Sequence, residues 1–177
     1  MTKAAAIWLV LLTAAPASPR AARQATRSTR PFLILTLDVP ATAPWTDTGI
    51  VVLPGDRLQI RAWGAAKFAD AGSERTVGPQ GSGHPGGGCT YVVTDSSVPA
   101  NSLIGNVAPA MTFDGGGFFI GSSWSGTVPV AGATANDGRL LVGFNEGAMM
   151  CDRSGYDSWA FRNNNSGSFM IEVTVRR

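Results

Sequence analysis

The chain has 177 residues, 44% of them apolar, with 14 Lys and Arg against 12 Asp and Glu and a formal net charge of +2; that length suits one domain with its own core rather than two. Five of the fourteen basic residues (Lys3, Arg20, Arg23, Arg27, Arg30) lie in the first thirty positions, so from Pro31 onward nine basic residues face twelve acidic ones, a net of −3. That balance, with no Lys/Arg cluster interleaved with aromatics, argues against a nucleic-acid surface.

The opening "MTKAAAIWLVLLTAAPASP" has a lysine, an apolar run from Ala4 to about Ala15, and a small-x-small site at Ala15-Pro16-Ala17. Residues 1–17 are therefore read as a signal peptide, which implies a secreted or periplasmic protein. The run is shorter than the roughly 20 residues of a membrane-spanning helix, and no later stretch is apolar enough, so no membrane span is expected in the mature chain. Residues 18–31, with four arginines and no acid, read as a flexible linker.

From residue 32 to 177 no apolar period of 3.6 stands out, whereas short runs rich in Val, Ile, Phe and Thr recur between Gly, Pro, Asn and Asp. Strands are expected at 32–39, at 48–53, and at 57–64 after the "PGD" turn. Further ones follow at 89–94, 102–107, 117–123, 126–130, 139–145 and 166–177. Leu58, Ile60 and Ala62 alternate with Gln59, Arg61 and Trp63, and Phe169, Ile171, Val173 and Val175 alternate again in the last run, the mark of strands with one buried face. The fold class is all-β, an antiparallel β-sandwich or jelly roll. No fixed repeat is visible, which disfavours a propeller or solenoid.

Two stretches, about 65–88 and 146–165, are too long and polar for plain connections and are the places to look for function. The second offers Glu146, Asp152, Asp157 and the run Asn163-Asn164-Asn165. Three asparagines exceed what a turn needs, and carboxylates with amide carbonyls are the hard oxygen donors that Ca²⁺ takes six to eight at a time. A solvated polar loop is the competing reading. The lone histidine, His84 in "GSGHPGG", has no partner His or paired Cys at zinc spacing. Cys89 and Cys151, 62 positions apart, read as a disulfide in an oxidising compartment, the alternative being two separate buried thiols. Catalysis finds little support: there is no G-x-S-x-G elbow and no phosphate loop opening a helix, and a Cys89–His84 pair would lack an orienting third group.

"GPQGSGHPGGG", then "LLVGFNEG", then "NNNSGSFMIEV", in this order and after "WTDTGIVVLPGDRLQIRAWG", resemble the PA-IL-like family of bacterial galactophilic lectins over about residues 40–177. The resemblance implies a galactose-binding-domain-like β-sandwich that holds one Ca²⁺ completed by two sugar hydroxyls. Carried over by position, Glu146, Asn164 and Asn165 would supply side-chain oxygens to the metal, and Phe161 and Phe68 backbone carbonyls. His84 and Pro85 would line the sugar, with Glu146 and Asn164 also touching it. Trp159 and Tyr156 could stack on an apolar sugar face or pack onto the sandwich. Glu146 stands where the family has Asp, the span from it to Asn164 is longer than the family's, and Gly87 falls where the family has a sugar-contacting glutamine. A Cys89–Cys151 bridge would clamp the histidine loop to the longer loop. The expected function is calcium-dependent binding of galactosides or other extracellular glycans without catalysis, in a possible homo-oligomer. The alternatives are a structural or adhesion sandwich that has lost sugar binding, and an exported glycoside-processing enzyme.

Overall fold

The computed structural model describes residues 31–53, 55–70, 73–108, 114–127 and 138–177. The expected signal peptide, all of the expected linker but Pro31, and the stretch 128–130 of one expected strand lie outside them. Two antiparallel sheets pack face to face. The first joins β1 (Pro31–Pro40), β9 (Ser166–Arg176) and β3 (Arg57–Asp70), and the far edge of β3 is shared by β7 (Ser123–Gly126) and β4 (Ser73–Val77). The second runs β2 (Thr46–Val52), β8 (Gly138–Phe144), β5 (Leu103–Ala108), β6 (Phe118–Phe119). The sandwich expected from the sequence is the observed fold.

The alternation in the sequence sets the register. Leu58, Ile60 and Ala62 of β3 stand opposite Val175, Val173 and Ile171 of β9, which in turn face Leu33, Leu35 and Leu37 of β1. These side chains meet Leu140, Val142 and Phe144 of β8 in the main core, where Phe144 and Phe169 lie 6.0 Å apart. β8 does not alternate: Leu140 to Phe144 are all buried, because a second cluster lies on its other face. There Leu141 and Ile104 are covered by Trp45, Val92, Val93, Val98, Met149 and Phe161, most of them from loops.

Three expectations need correction. β3 continues through Gly64 to Asp70 and turns back as β4, so the first part of the expected loop 65–88 is a hairpin; Ala66 and Phe68 keep the buried alternation, and the small residues around them hid it. "CTYVVT" at 89–94 is a series of turns rather than a strand. Its Val92 and Val93 are buried, but its carbonyls serve a side chain from the other loop, as described below. Lastly, the expected strand 117–123 contributes only Phe118–Phe119 to the second sheet, while β7 begins at Ser123.

Candidate functional site

Apart from Phe68, which lies within β3, the site residues named from the sequence sit on the loops around the ends of β3, β8 and β9, and the described contacts assemble them into two groups. The first is built on the histidine loop. It runs antiparallel to 98–103 through Ser82 N to Ala100 O (2.9 Å), Ala100 N to His84 O (2.8 Å) and Gly86 N to Val98 O (2.9 Å), with Pro85 bridged to Pro99. His84 and Pro85 are exposed on this ribbon. Beyond it Asn101, in the left-handed region at φ 58°, donates from Nδ2 to Oε2 of Glu146 at 3.1 Å. Asn is among the few side chains that take this backbone conformation at small cost, and the turn brings Glu146 up to the histidine ribbon.

Asn145 fixes that ribbon in place, a role the sequence reading missed. It is fully buried at the end of β8, and its Oδ1 accepts from Val93 N at 3.0 Å while its Nδ2 donates to Pro99 O at 3.0 Å. Nδ2 also comes within 3.5 Å of Gly86 O, and a Cβ on Gly86 would lie 2.6 Å from that nitrogen, so only glycine fits there. The signal was present in "LLVGFNEG": a polar residue closing an apolar strand must satisfy its hydrogen bonds inside.

The second group forms where β3 and β9 meet the short π-helical turn Ala160–Asn164. Oδ1 of Asn164 accepts from Ala69 N at 2.6 Å, which places this amide beside Phe68 at the end of β3. Asn165 is buried and donates from Nδ2 to Ala41 O at 3.0 Å, while its Oδ1 is buried with no hydrogen-bond partner among the described residues. Phe161 fills the second cluster, fully buried, with the Tyr156 ring edge-on at 5.2 Å. Tyr156 is thus used in packing. Trp159, 67% exposed, is free of the core, and its carbonyl accepts from Asn163 Nδ2 at 3.2 Å. The three asparagines therefore have three separate partners.

The acids of the long loop mostly serve its own turns. Asp157 Oδ1 accepts from Trp159 N at 2.9 Å and Ala160 N at 3.3 Å, opening the helical turn. Asp152 Oδ1 accepts from the Ser154 hydroxyl at 2.7 Å and its amide at 3.0 Å, and these two bonds hold its carboxyl below the usual carboxylate range. Among the described residues no three His, Cys, Asp or Glu side chains gather as a metal site. A cation beside Asn164 and Asn165 would draw chiefly on amide and carbonyl oxygens.

The bridge between Cys89 and Cys151 is present, with Cα atoms 4.7 Å apart, and joins the two loops. Next to it Arg153, itself at φ 58°, donates to the carbonyls of Cys89 (2.9 Å), Tyr91 (2.7 Å) and Val92 (2.7 Å). Burial pushes the Arg153 guanidinium below its ordinary value, and the charge of Asp114 opposes that shift. Met149 N donates to Thr90 O at 2.7 Å in the same seam. Disulfide, guanidinium and backbone together fasten the histidine loop's continuation to the long loop.

Among the described residues no helix is long and apolar enough to cross a membrane. No protein-family model and no curated protein matches the chain. One solved structure to which it is similar is described as "EclA N-terminal domain; PllA-like lectin", at 20% identity and a TM-score of 0.48, covering 80% of this chain and 95% of that one. That likeness is too distant to carry residue roles across.

Proposed function

We propose that the chain is a non-catalytic, calcium-dependent carbohydrate-binding domain that takes galactosides or other extracellular glycans. The observation that supports this most is the buried Oδ1 of Asn165, which has no hydrogen-bond partner among the described residues. Leaving such an atom unmatched costs about 1–3 kcal/mol, and a cation would offset that cost. Asn164, adjacent in sequence, retains a second lone pair on the Oδ1 that Ala69 occupies singly. The donor set of this reading is Glu146, Asn164 and Asn165 through side chains and Phe161 and Phe68 through backbone carbonyls, hard oxygens suited to Ca²⁺. Bound there, the ion would supply a concentrated positive charge that vicinal sugar hydroxyls can approach in place of water.

The chain's own residues do the rest. Asn101 orients Glu146, Asn145 holds the histidine ribbon, and His84 and Pro85 present an exposed polar edge and an apolar edge to a sugar. Trp159 offers a further apolar face on the same loop system.

Calorimetry tests the proposal in two steps, calcium first and galactosides second, each repeated after chelation. Calcium is expected to bind, to raise the melting temperature, and to be required for any galactoside heat; Asn164→Ala with Asn165→Ala removes all three. A melting temperature unmoved by millimolar calcium would leave a structural or adhesion sandwich as the better description.

A further inference from the structure

In the middle of β3 the indole of Trp63 is 49% exposed on the outer face of the first sheet. The register puts it there. Ala62 and Ile171 are buried, so Trp63, its partner Met170 on β9 and Asp38 beyond Met170 on β1 form one row that points outward. The adjoining row holds Arg61 opposite Glu172, and on the other side of Trp63 the next outward residue of β3, Ala65, has only a methyl group. Along the far edge of β3 the pairing with β7 stops at Arg61 and that with β4 begins at Ala66, so among the described strands none pairs with Trp63 there. The indole therefore lies on an open shelf. Phe68 is five positions farther on and faces inward, roughly 17 Å away at about 3.3 Å per residue, so this shelf is separate from the calcium residues proposed above.

A single exposed aromatic is common on protein surfaces; what sets Trp63 apart is the chemistry around it. The apolar area is one indole and one half-buried methionine, bordered by Arg61, Glu172 and Asp38. That is far less than the apolar centre of a protein interface, which covers about 800 Å² on each partner. The charges are mixed in sign: Arg61 faces Glu172 directly, Asp38 adds a second carboxylate, and Lys67, farther along the face, is taken by Glu74 at 2.6 Å. An anionic ligand would meet two carboxylates for one guanidinium. A neutral polyol suits this border, because carboxylates only accept and a guanidinium only donates, whereas each hydroxyl does both.

We propose that this shelf is a second, calcium-independent carbohydrate contact, on which a neutral pyranose lays its C–H face over the Trp63 indole while its hydroxyls meet Arg61 and Glu172. A pyranose turns several C–H groups to one side of the ring, a flat apolar surface that an indole removes from water, and the hydroxyls at its rim stay turned toward polar groups. A second sugar unit would extend over Met170 toward Asp38, two strand spacings or about 10 Å from Trp63. One stacked ring on an open face has little to set against the cost of association, so the affinity is weak, in the millimolar range. The site does not depend on calcium or on the galactoside reading.

The test is an amide and indole chemical-shift titration of the full chain, in chelator so that any calcium site is empty, with methyl β-glucoside, methyl β-galactoside and lactose, and with glycerol and glucuronate as controls. At least one neutral sugar is expected to give saturable shifts centred on residues 61–65 and 168–172, reaching 36–38 for lactose. Glycerol, which has no ring face, gives none there, and glucuronate binds at least about threefold more weakly. Trp63→Ala is expected to weaken binding at least about tenfold and Trp63→Phe to keep part of it, with melting temperatures within about 2 °C of the parent, since the side chain is exposed. Shifts that do not saturate, that centre elsewhere or that glycerol reproduces would each overturn the proposal, as would a Trp63→Ala variant that binds as before. Sedimentation of the same samples decides the competing occupant: if the only effect of Trp63→Ala is to dissociate an oligomer, the face belongs to a second copy of the chain and the proposal fails. Should Trp63→Ala melt early, Trp63→Phe and the wild-type map decide by the same criteria.

Discussion

The two faces of the second sheet are buried in different ways. Toward the first sheet β8 meets strands whose alternation points every second side chain inward, and the core of Leu140, Val142, Phe144, Phe169, Ile171 and Val173 is made of regular elements on both sides. On the other face Leu141 and Ile104 are covered by loops, and what keeps the loops there is a disulfide, a guanidinium on three carbonyls and a buried asparagine. A strand ladder satisfies its backbone groups by repetition, whereas a loop must satisfy each one individually. The candidate residues are divided between the two sides: Phe161 packs in the loop-covered cluster, whereas Phe68 packs in the main core and Asn164 and Asn165 bond to Ala69 and Ala41 beside it; the loop-covered side is the one expected to open first.

The largest effect should come from the strand-built side. Phe169→Ala removes a fully buried ring from β9 and is expected to cost about 3–5 kcal/mol, read as a lower denaturant midpoint with an unchanged slope. A loss below about 1 kcal/mol would mean that the main core is not where stability resides. Next comes the clamp: replacing Cys89 and Cys151 by serine, which opens a 62-residue connection, should cost about 2–4 kcal/mol. Its more telling readout is hydrogen exchange, since protection should fall across 89–101 and 146–161 while β3 and β9 keep theirs. Loss spread evenly over both sheets would erase the distinction between the two sides.

The smallest effect sharpens the same contrast at an edge. Asp47 of β2 accepts from Gly49 N at 2.8 Å and pairs with Arg139 of β8, and these contacts, the Gly49 bond foremost, hold its carboxyl below the usual carboxylate range. A depressed carboxyl stabilises the fold above its unfolded value and loses that contribution as pH falls through its folded value. Asp47→Asn should therefore lower the melting temperature by about 1–3 °C at pH 7, with the gap narrowing as acid protonates the carboxyl in the folded chain. A gap that does not narrow on acidification would assign the effect to something other than the charge.

Most strands could be read directly, because alternation in "RLQIRAW" and "SFMIEVTV" is itself the record of one wet and one dry face. β8 was legible without alternation, as an apolar run of strand length, but elsewhere composition misled. "CTYVVT" has strand composition, yet its valines are buried from a turn-rich loop, and the hairpin of β3 and β4 was hidden by Gly64, Ala65 and Ala66. The candidate site shows the same division. The sequence pointed to His84, Glu146, Asn164 and Asn165 by type and order, but Asn101, Asn145 and Arg153 act through partners 45 to 64 positions away.

By itself the sequence determined the all-β class, the inward face of the long strands and the cysteine pair, since each depends on neighbours in the chain or on composition. Only the tertiary structure decided that Asn165 keeps a buried oxygen with no hydrogen-bond partner among the described residues, that Asn101 hands Glu146 to the histidine ribbon, and that Arg57 stands opposite Arg176 on neighbouring strands. Those are matters of register and loop docking. They are set by which distant strands pair and which distant carbonyls need a donor, and no local pattern encodes either.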